Sequence, residues 1–384
     1  MADAPYPELK KTHTMAHTGR PWTDVKPPPA APVWSVIGGL GSYYVLLAAL
    51  QLDVFDTIRD IGPTKVAPLA ERLRASEPHL QSLLDSLVAL GLLDQVCDVY
   101  ELNDTAERYL TSDGAASMAG LVPVAPGPHE NWAQLAETVR RGSPATPVDD
   151  DPAAFYIPLV EGTFATMFRT ALRTDLKLGY SRLVAPRVLD LGAGGAPWSI
   201  AVLTACPAAT AVLNDLPEVL EVARRKTAEY GVAERCEFRS GDFHNIDLEE
   251  GQYDLVVLGH ICRTEGEAGA CHLIERAFSA LRPEGRVLLA DYFIDVERKG
   301  NPHGVLMGMT MMTSTLSGFP IGHEMATGWL RGAGFKAIRL LEPRRWRISV
   351  ILGYIRMNSL QAIISGVVEG HITPHWSILA SASA

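Results

Sequence analysis

The spacing of apolar residues divides the chain into a helical first part and an alternating second part. From Val33 onward, apolar residues recur every three or four positions, which is the period of a helix. After Pro186, short apolar runs of strand length alternate with helical segments, a pattern typical of a parallel sheet with helices on both faces. The sequence therefore predicts an α/β fold in which a mostly helical domain precedes a doubly wound, Rossmann-like sheet.

The helical part has the order of elements found in winged-helix domains. A first segment, GSYYVLLAALQLDVFDTI, has apolar residues on every face, so we predict one largely buried helix. Two shorter amphipathic helices and a β-hairpin, in VCDVYELND, are predicted next. Because the second of these helices lacks a cluster of basic residues, and the first segment has more apolar surface than a small domain can cover, the pattern favours dimerisation over DNA binding.

A glycine-rich loop provides the first candidate chemistry. The run VLDLGAGGAPWS places Asp190 at the end of a predicted strand, followed by Gly192, Gly194 and Gly195 and then a helix. Glycines at this point let the backbone approach a ligand closely. Their spacing differs from the G-x-G-x-x-G of dinucleotide-binding loops, so it does not indicate a pyrophosphate.

Two further acids end the next two predicted strands. Asp215 is placed to accept hydrogen bonds from both hydroxyls of a ribose, and Asp242 to accept one from an adenine amine, with Phe243 available to stack on the ring. The carboxyl ends of parallel strands share one edge of the sheet, where doubly wound folds bind ligands. The combination predicts an adenosine-containing cofactor without a pyrophosphate.

These motifs resemble those of the S-adenosylmethionine-dependent small-molecule O-methyltransferases, in particular the two-domain enzymes of plant phenolics and bacterial polyketides. The resemblance covers about residues 35–340 and extends to LRPEGRVLLADYF and GWLRGAGF. It implies a class I methyltransferase sheet, a winged-helix-like dimerisation domain, S-adenosyl-L-methionine as cofactor and a homodimer joined through the N-terminal helices. The cofactor-binding residues that it implies are Asp190, Gly192, Gly194, Asp215, Leu216, Asp242, Phe243 and Gly259.

Shifts in composition, together with this resemblance, predict four segments. They are a flexible N-terminal arm over 1–32, the dimerisation domain over 33–150, linking helices that contribute to the substrate pocket over 151–185, and the S-adenosylmethionine-binding catalytic domain over 186–384.

The sequence departs from the family at the catalytic position. O-methylating members carry a His-Asp pair after the fourth strand, and the His removes the proton from the substrate hydroxyl. Alignment of VVLGHIC places Arg263 and Thr264 there. An arginine stays protonated at any working pH, so Arg263 cannot be a general base.

Three interpretations follow from this departure. Methyl transfer is retained in the first, with the base moved to His260 or, less favourably, His244 or His303, or with no strong base needed because Arg263 orients an acidic substrate. In the second, the enzyme binds the cofactor but catalyses a cyclisation, pericyclic rearrangement or hydroxylation, with Arg263 as electrostatic catalyst and His129 as its partner from the helical domain. The third is a non-enzymatic, cofactor-binding dimer. The retained acids at the strand ends disfavour the third interpretation, and of the two enzymatic interpretations we favour methyl transfer.

The substrate side is predicted from two apolar segments and one loop. Aromatic and methionine side chains at helical spacing suit a flat, apolar ligand of variable shape, and the resemblance implies a polyketide or aromatic secondary metabolite. The candidate substrate-binding residues are Trp132, Phe164, Met167, Phe168, His303, Met307 and Met311.

Composition adds limits to this picture. The net charge of -10 disfavours a nucleic-acid partner or an anionic membrane surface. The longest uninterrupted apolar runs fall well short of a membrane span, and the N-terminal residues lack the apolar core of a signal peptide. Five scattered cysteines without Cys-x-x-Cys spacing indicate a reducing compartment, and no metal-ligand spacing is present. We therefore expect a cytoplasmic protein with a small-molecule substrate and no metal.

Overall fold

A computed structural model describes residues 30–125, 127–180, 183–294, 302–341 and 348–355. The helices are α1 Ala31–Gln51, α2 Val54–Ile61, α3 Val66–Leu73, α4 Glu77–Ala89, α5 Asp104–Tyr109, α6 His129–Ala133, α7 Leu135–Arg141, α8 Pro152–Leu178, α9 Pro197–Ala205, α10 Pro217–Glu229, α11 Gly266–Ala280, α12 Pro302–Ser314 and α13 His323–Ala333. The strands are β1 Asp94–Val96, β2 Val99–Glu101, β3 Arg187–Leu191, β4 Thr210–Asp215, β5 Cys236–Ser240, β6 Tyr253–Gly259, β7 Leu281–Asp291, β8 Ala337–Leu341 and β9 Ser349–Tyr354.

Helices α1 to α5 and the β1–β2 hairpin build the predicted helical domain around its own hydrophobic core. The leucine stripe of α4 provides part of this core, with Leu80, Leu84 and Leu87 fully or almost fully buried. The hairpin is antiparallel and pairs Val96 with Val99. The order of helix, helix and hairpin is therefore confirmed.

The prediction of one largely buried first helix is wrong in two respects. The chain breaks after Gln51, and Asp53 adopts a left-handed backbone (φ 54°) before α2 begins. Within the single chain, Ala49 is the one buried residue of α1, and Leu40 is 65% exposed. An apolar pattern on all faces predicts that a helix is buried, but it does not determine whether the surface that packs against it belongs to the same chain.

Helix α1 also corrects the estimate of apolar length. By length and composition alone it could span a membrane, with a mean hydropathy of 1.6 over its most apolar window. Glycine, serine and tyrosine interrupt the apolar runs within α1, so the length of uninterrupted runs underestimates the apolar length of the helix.

The second domain contains a seven-stranded sheet in the order β5-β4-β3-β6-β7-β9-β8. Strands β3 to β7 are parallel, while β9 runs antiparallel to both β7 and β8. The strand order reverses between β3 and β6, which is the switch point where such sheets bind ligands. Apolar cores fill both faces, and helix α8 packs against α9 and α10 on one of them.

Candidate active site

The glycine loop connects β3 to α9 through three left-handed residues. Gly192, Gly194 and Ala196 have φ values of 66°, 57° and 57°. A Cβ on Gly192 would lie 3.0 Å from the Cδ1 of Ile261, and one on Gly194 would lie 3.0 Å from a methyl of Val160. Both glycines are therefore needed for conformation and for space, and Ile261 places the β6–α11 loop directly beside the glycine loop.

Asp215 joins the end of β4 to this loop. Its Oδ2 accepts a hydrogen bond from the Gly194 amide (2.7 Å), and its Oδ1 accepts one from the Leu216 amide (2.8 Å). Burial raises the pKa of Asp215, and the two amide donors oppose this effect. Each carboxylate oxygen keeps a second lone pair, so the group fits the predicted contact with ribose hydroxyls.

Asp242 lies two residues beyond β5 and is exposed. Its oxygens accept from the His244 amide (2.8 Å) and the Asn245 side-chain amide (2.6 Å), so the carboxylate stabilises its own turn. Phe243 packs against the core on one side of the sheet. His244 continues the turn, and its Nε2 lies 2.8 Å from Glu265 in the β6–α11 loop.

Asp190 and Gly259 occupy the centre of the switch point. Asp190 is buried, and the Ser199 hydroxyl donates to its Oδ2 (2.6 Å). Burial raises the pKa of this carboxyl to about 7. A Cβ on Gly259 would lie 2.9 Å from Trp198, so the indole packs directly on the end of β6.

His260, Arg263 and Asp291 form a buried cluster at the carboxyl ends of β6 and β7. The Nη1 of Arg263 donates to Oδ1 of Asp291 (2.7 Å) and lies 2.9 Å from Nδ1 of His260. Helix α11 begins only at Gly266, so His260 and Arg263 meet through an irregular loop and not through a helical turn. His260 has a left-handed backbone (φ 64°), held by its amide hydrogen bond to Ala290 (2.8 Å).

Burial and charge act in opposite directions on this cluster. Burial alone would raise the pKa of Asp291, but the charge of Arg263 outweighs it and lowers that pKa to about 2. Burial lowers the pKa of His260, so its imidazole is neutral at pH 7. The cluster therefore holds one cation, one anion and one neutral imidazole.

Four buried polar atoms around this cluster lack a hydrogen-bond partner within the described part of the chain. They are His260 Nε2, Arg263 Nε, Asp291 Oδ2 and Trp198 Nε1. A buried polar group without a partner costs about 1–3 kcal/mol, so such atoms are suited to a ligand that brings complementary groups. S-adenosylmethionine and a polar substrate atom fit this edge of the sheet on that ground.

Helix α6 carries His129 and Trp132, and the contacts described for these two residues are with segments other than the cluster. The two ring nitrogens of His129 lie 3.1 Å and 3.3 Å from the hydroxyls of Tyr43 and Tyr44 on α1. Among the described residues, no hydrogen bond joins His129 to Arg263. Trp132 is half-buried, close to Gly127.

The predicted substrate residues of α8 and α12 differ in their surroundings. Phe164 and Met167 are buried in the core, and Phe164 stacks on Phe168 at 5.7 Å. Met311 is buried and Met307 half-buried on α12. The side chain of His303 lies outside the described residues, so its role stays a prediction.

Sequence reasoning missed Asp291 and Trp198. Asp291 ends β7 just as Asp215 ends β4, so its position at a strand end was an available signal. Trp198 carries no such signal, because a helix position reaches this edge only through tertiary packing. No group of three or more potential metal ligands occurs among the residues that the structure describes.

Comparison with known proteins defines the class to which this fold and site belong. A model of the O-methyltransferase domain matches residues 159–336, and a model of the O-methyltransferase dimerisation domain matches residues 34–112. The chain belongs to the S-adenosylmethionine-dependent O-methyltransferase family. It is a methyltransferase, and its cofactor is S-adenosyl-L-methionine.

Individual relatives agree with this assignment. The chain is 28% identical to 3-hydroxy-5-methyl-1-naphthoate 3-O-methyltransferase of Streptomyces sahachiroi, over 78% of this chain and 88% of that one. It is 27% identical to the tetracenomycin polyketide synthesis 8-O-methyltransferase of Streptomyces glaucescens, over 77% and 88%. These relatives favour methyl transfer over the non-methylating interpretation.

Solved structures agree on the fold. Human N-acetylserotonin methyltransferase in complex with S-adenosylmethionine superimposes with a TM-score of 0.74 at 23% identity, over 86% of this chain and 99% of that one. The N,N-8-amino-8-demethyl-D-riboflavin dimethyltransferase of Streptomyces davawensis gives 0.66 at 25% identity, over 85% and 99%. One of these two names a nitrogen as acceptor, so the fold alone does not determine the accepting atom.

Proposed function

We propose that this enzyme O-methylates a small aromatic or polyketide-type compound, and that Arg263 and His260 bind the accepting oxygen. The observation that carries this proposal is the cluster with unpartnered polar atoms, which lies beside the glycine loop at the ligand-binding edge. Relatives that act on a naphthoate and on a tetracenomycin polyketide support the substrate class.

The residues that would hold the cofactor are those at the ends of β3, β4 and β5. The backbone of Gly192 and Gly194 leaves room for close approach, Asp215 offers carboxylate lone pairs, and Asp242 with Phe243 lies at the end of the next strand. When bound, S-adenosylmethionine supplies a methyl group on a positively charged sulfur. The protein orients the acceptor towards that carbon and excludes water.

Arg263 orients the acceptor without changing the net charge of the site. Its ion pair with Asp291 is neutral overall, and the guanidinium is fixed by two hydrogen bonds through Nη1. A fixed donor loses little conformational entropy when a substrate oxygen binds, which is the advantage of a pre-organised site.

We also propose that the enzyme is a homodimer with its four segments divided at residues 32, 150 and 185. The apolar face of α1 is exposed in the single chain, and the dimerisation-domain model spans this helix. A second copy covering α1 accounts for that face without a membrane. We propose a cytoplasmic location as well, because the five scattered cysteines lack Cys-x-x-Cys spacing.

The proposal is tested with a pair of variants. Arg263→Gln removes the donor but leaves Asp291 buried and unpaired, which would also destabilise the fold by about 3–5 kcal/mol. In Arg263→Gln/Asp291→Asn both charges of the ion pair are removed together, so the protein should fold and bind S-adenosylhomocysteine with nearly unchanged affinity. We expect its methyl transfer to 3-hydroxy-2-naphthoate, followed by mass spectrometry, to fall about 100-fold or more.

Two outcomes would contradict this proposal. Wild-type activity in the double variant would make Arg263 a structural residue only. A wild-type enzyme that converts its substrate while S-adenosylmethionine is recovered intact would show that methyl transfer is not the reaction.

A further inference from the structure

The contact between Arg263 and His260 determines which ring nitrogen of the histidine carries the proton. Arginine has only donors, so the His260 Nδ1 that lies 2.9 Å from Nη1 must be an acceptor without a hydrogen. The proton of the neutral imidazole is then on Nε2, the buried atom that lacks a partner among the described residues. His260 therefore presents an N–H donor and cannot accept a substrate proton at Nε2.

Asp291 provides the one unpartnered acceptor of the cluster. Its Oδ1 accepts from Arg263 and from the Tyr292 amide (2.8 Å), and its Oδ2 has no partner in the described chain. The ion pair lowers the pKa of Asp291 to about 2, far below the pKa of about 10 of an ordinary phenol, so this carboxylate is a poor acceptor for a phenol proton.

The other titratable groups near His260 and Arg263 are also unsuited to act as a base. Burial raises the pKa of Tyr156, on α8, to about 12, so its phenol is protonated at neutral pH. Glu265, in the same loop, is engaged with the Thr264 hydroxyl (2.7 Å) and with His244 (2.8 Å). Tyr292 packs its ring 5.4 Å from His260 and is itself a weak acid. Among the described side chains that contact His260 or Arg263, there are thus hydrogen-bond donors but no base.

We propose, on the basis of the function proposed above, that the accepting oxygen is an anion before it binds. The substrate is an aromatic oxygen acid, either a carboxylate or a phenol acidified by a conjugated carbonyl group. His260 Nε2–H and Arg263 Nε–H donate to this oxygen. An oxygen–carbon bond forms as the carbon–sulfur bond breaks, its electron pair goes to sulfur, and the substrate proton has already been released to water.

The direct test measures the ionisation of a bound phenol. 4-Nitrophenol, whose anion absorbs visible light, is titrated into protein saturated with S-adenosylhomocysteine across a pH series. We expect the pKa of the bound probe to be at least one unit below that of the free probe, which means that the anion binds at least about 10-fold more tightly. His260→Ala should remove most of this shift, while His272→Gln, at an exposed histidine of α11, should retain it.

An unchanged or raised pKa of the bound probe would overturn the proposal, because a donor site must prefer the anion. At pH of about 8, 2-naphthol is neutral, and its binding more tightly than the 4-nitrophenol anion would overturn the proposal too. The absence of any saturable signal in protein that binds S-adenosylhomocysteine counts against it in the same way.

The pH dependence of methyl transfer separates the two sources of the anion. With 1-naphthoate as acceptor, kcat should show no rise or fall that depends on His260, Arg263 or Asp291 between pH about 6 and 9, since none of these groups needs to change its protonation. With 3-hydroxy-2-naphthoate methylated at the phenol, the rate should follow the ionisation of the substrate. If kcat for either acceptor changed with an apparent pKa near 6.5, and His303→Ala removed this change, a base would be placed at His303 and the proposal would be overturned.

Failure of the proposed function gives a different result. Protein that does not bind S-adenosylmethionine, or that converts these probes without methylating them, would contradict the function itself. Protein that methylates neutral phenols with a histidine-dependent limb contradicts only the anionic substrate.

Discussion

Among individual residues, two acids of the same sheet edge have different pKa values because their neighbours differ. Asp190 is buried with one hydroxyl donor, and its pKa rises to about 7. Asp291 is equally buried but faces Arg263, and its pKa falls to about 2. A sequence shows where each acid lies along the chain, but the protonation state follows from solvation and charge around it.

Asp190 should make the protein less stable as the pH rises. Its pKa is near 3.9 in an unfolded chain and about 7 in the fold, so the folded state keeps a proton that the unfolded state releases between about pH 4 and 7. Stability from this group is complete below pH 4 and is lost as the pH passes 7. Asp190→Asn removes this pH dependence. Between pH about 4.5 and 8 the wild type should therefore lose roughly 2–4 kcal/mol more of its free energy of unfolding than the variant does.

Urea unfolding of the cofactor-free protein at both pH values measures this difference. Asp247→Asn is the matched control, because Asp247 is exposed and should change little with pH. Parallel pH profiles for wild type and Asp190→Asn would show that Asp190 stays ionised in the fold.

At the scale of the element, the β3–α9 turn is the part of the site that the chain encodes most locally. Three left-handed residues bring the backbone against α8 and the β6–α11 loop, and Asp215 holds the turn from the neighbouring strand. The turn is predictable because glycine is the residue that adopts φ > 0 without strain. The β6–α11 loop is not, because its left-handed residue is His260, and nothing in the sequence marks it.

Gly194→Ala should damage both stability and cofactor binding. The left-handed backbone costs an alanine about 1–2 kcal/mol, and its Cβ would press on Val160 at 3.0 Å. We expect a loss of roughly 1–3 kcal/mol in the free energy of unfolding and at least about 10-fold weaker binding of S-adenosylhomocysteine by calorimetry.

Gly328→Ala provides the comparison. Gly328 lies within α13, with open space where a Cβ would be, so alanine should stabilise the helix by about 0.5–1 kcal/mol and leave binding unchanged. If both variants bound the cofactor equally well, the glycine loop would not be the cofactor site.

At the scale of the whole molecule, the single chain leaves the apolar face of α1 uncovered. Trp34 and Leu40 are 68% and 65% exposed, and α1 contacts its own domain through α2, α4 and the turn at 122–124. Tyr43 fixes this arrangement by donating to the Val122 carbonyl (2.9 Å). Apolar surface of this extent on one helix is typical of an interface.

Leu40→Glu should dissociate the proposed dimer, because a carboxylate in an apolar interface is strongly penalised. Analytical ultracentrifugation is expected to show a monomer at concentrations where the wild type is a dimer. Val139→Glu places the same change at a side chain of similar exposure (66%) on α7, and it should remain a dimer. A Leu40→Glu protein with an unchanged dimer constant would exclude α1 from the interface, and wild-type protein that sediments with lipid vesicles would assign the helix to a membrane.

The features that depend on local pattern could be predicted from the chain alone. Strand and helix periods predicted the parallel sheet and the short helices of the first domain, and glycines and strand-end acids predicted the cofactor and the edge that binds it. These follow from the period of apolar residues and from backbone sterics, which act between neighbours in the chain.

Only the tertiary structure decided the features that depend on contact between distant segments. The sequence analysis misjudged the burial of α1 and the break at Asp53, and it did not determine what surrounds Phe164. The reason is that an apolar residue indicates burial but not the residues against which it packs. The cluster shows this most clearly. Arg263 comes within hydrogen-bond distance of His260 and of Asp291, which lies 28 positions further along the chain, and this contact makes the histidine a donor. A proton's position is set by the hydrogen bonds around it, and those exist only once the strands are side by side.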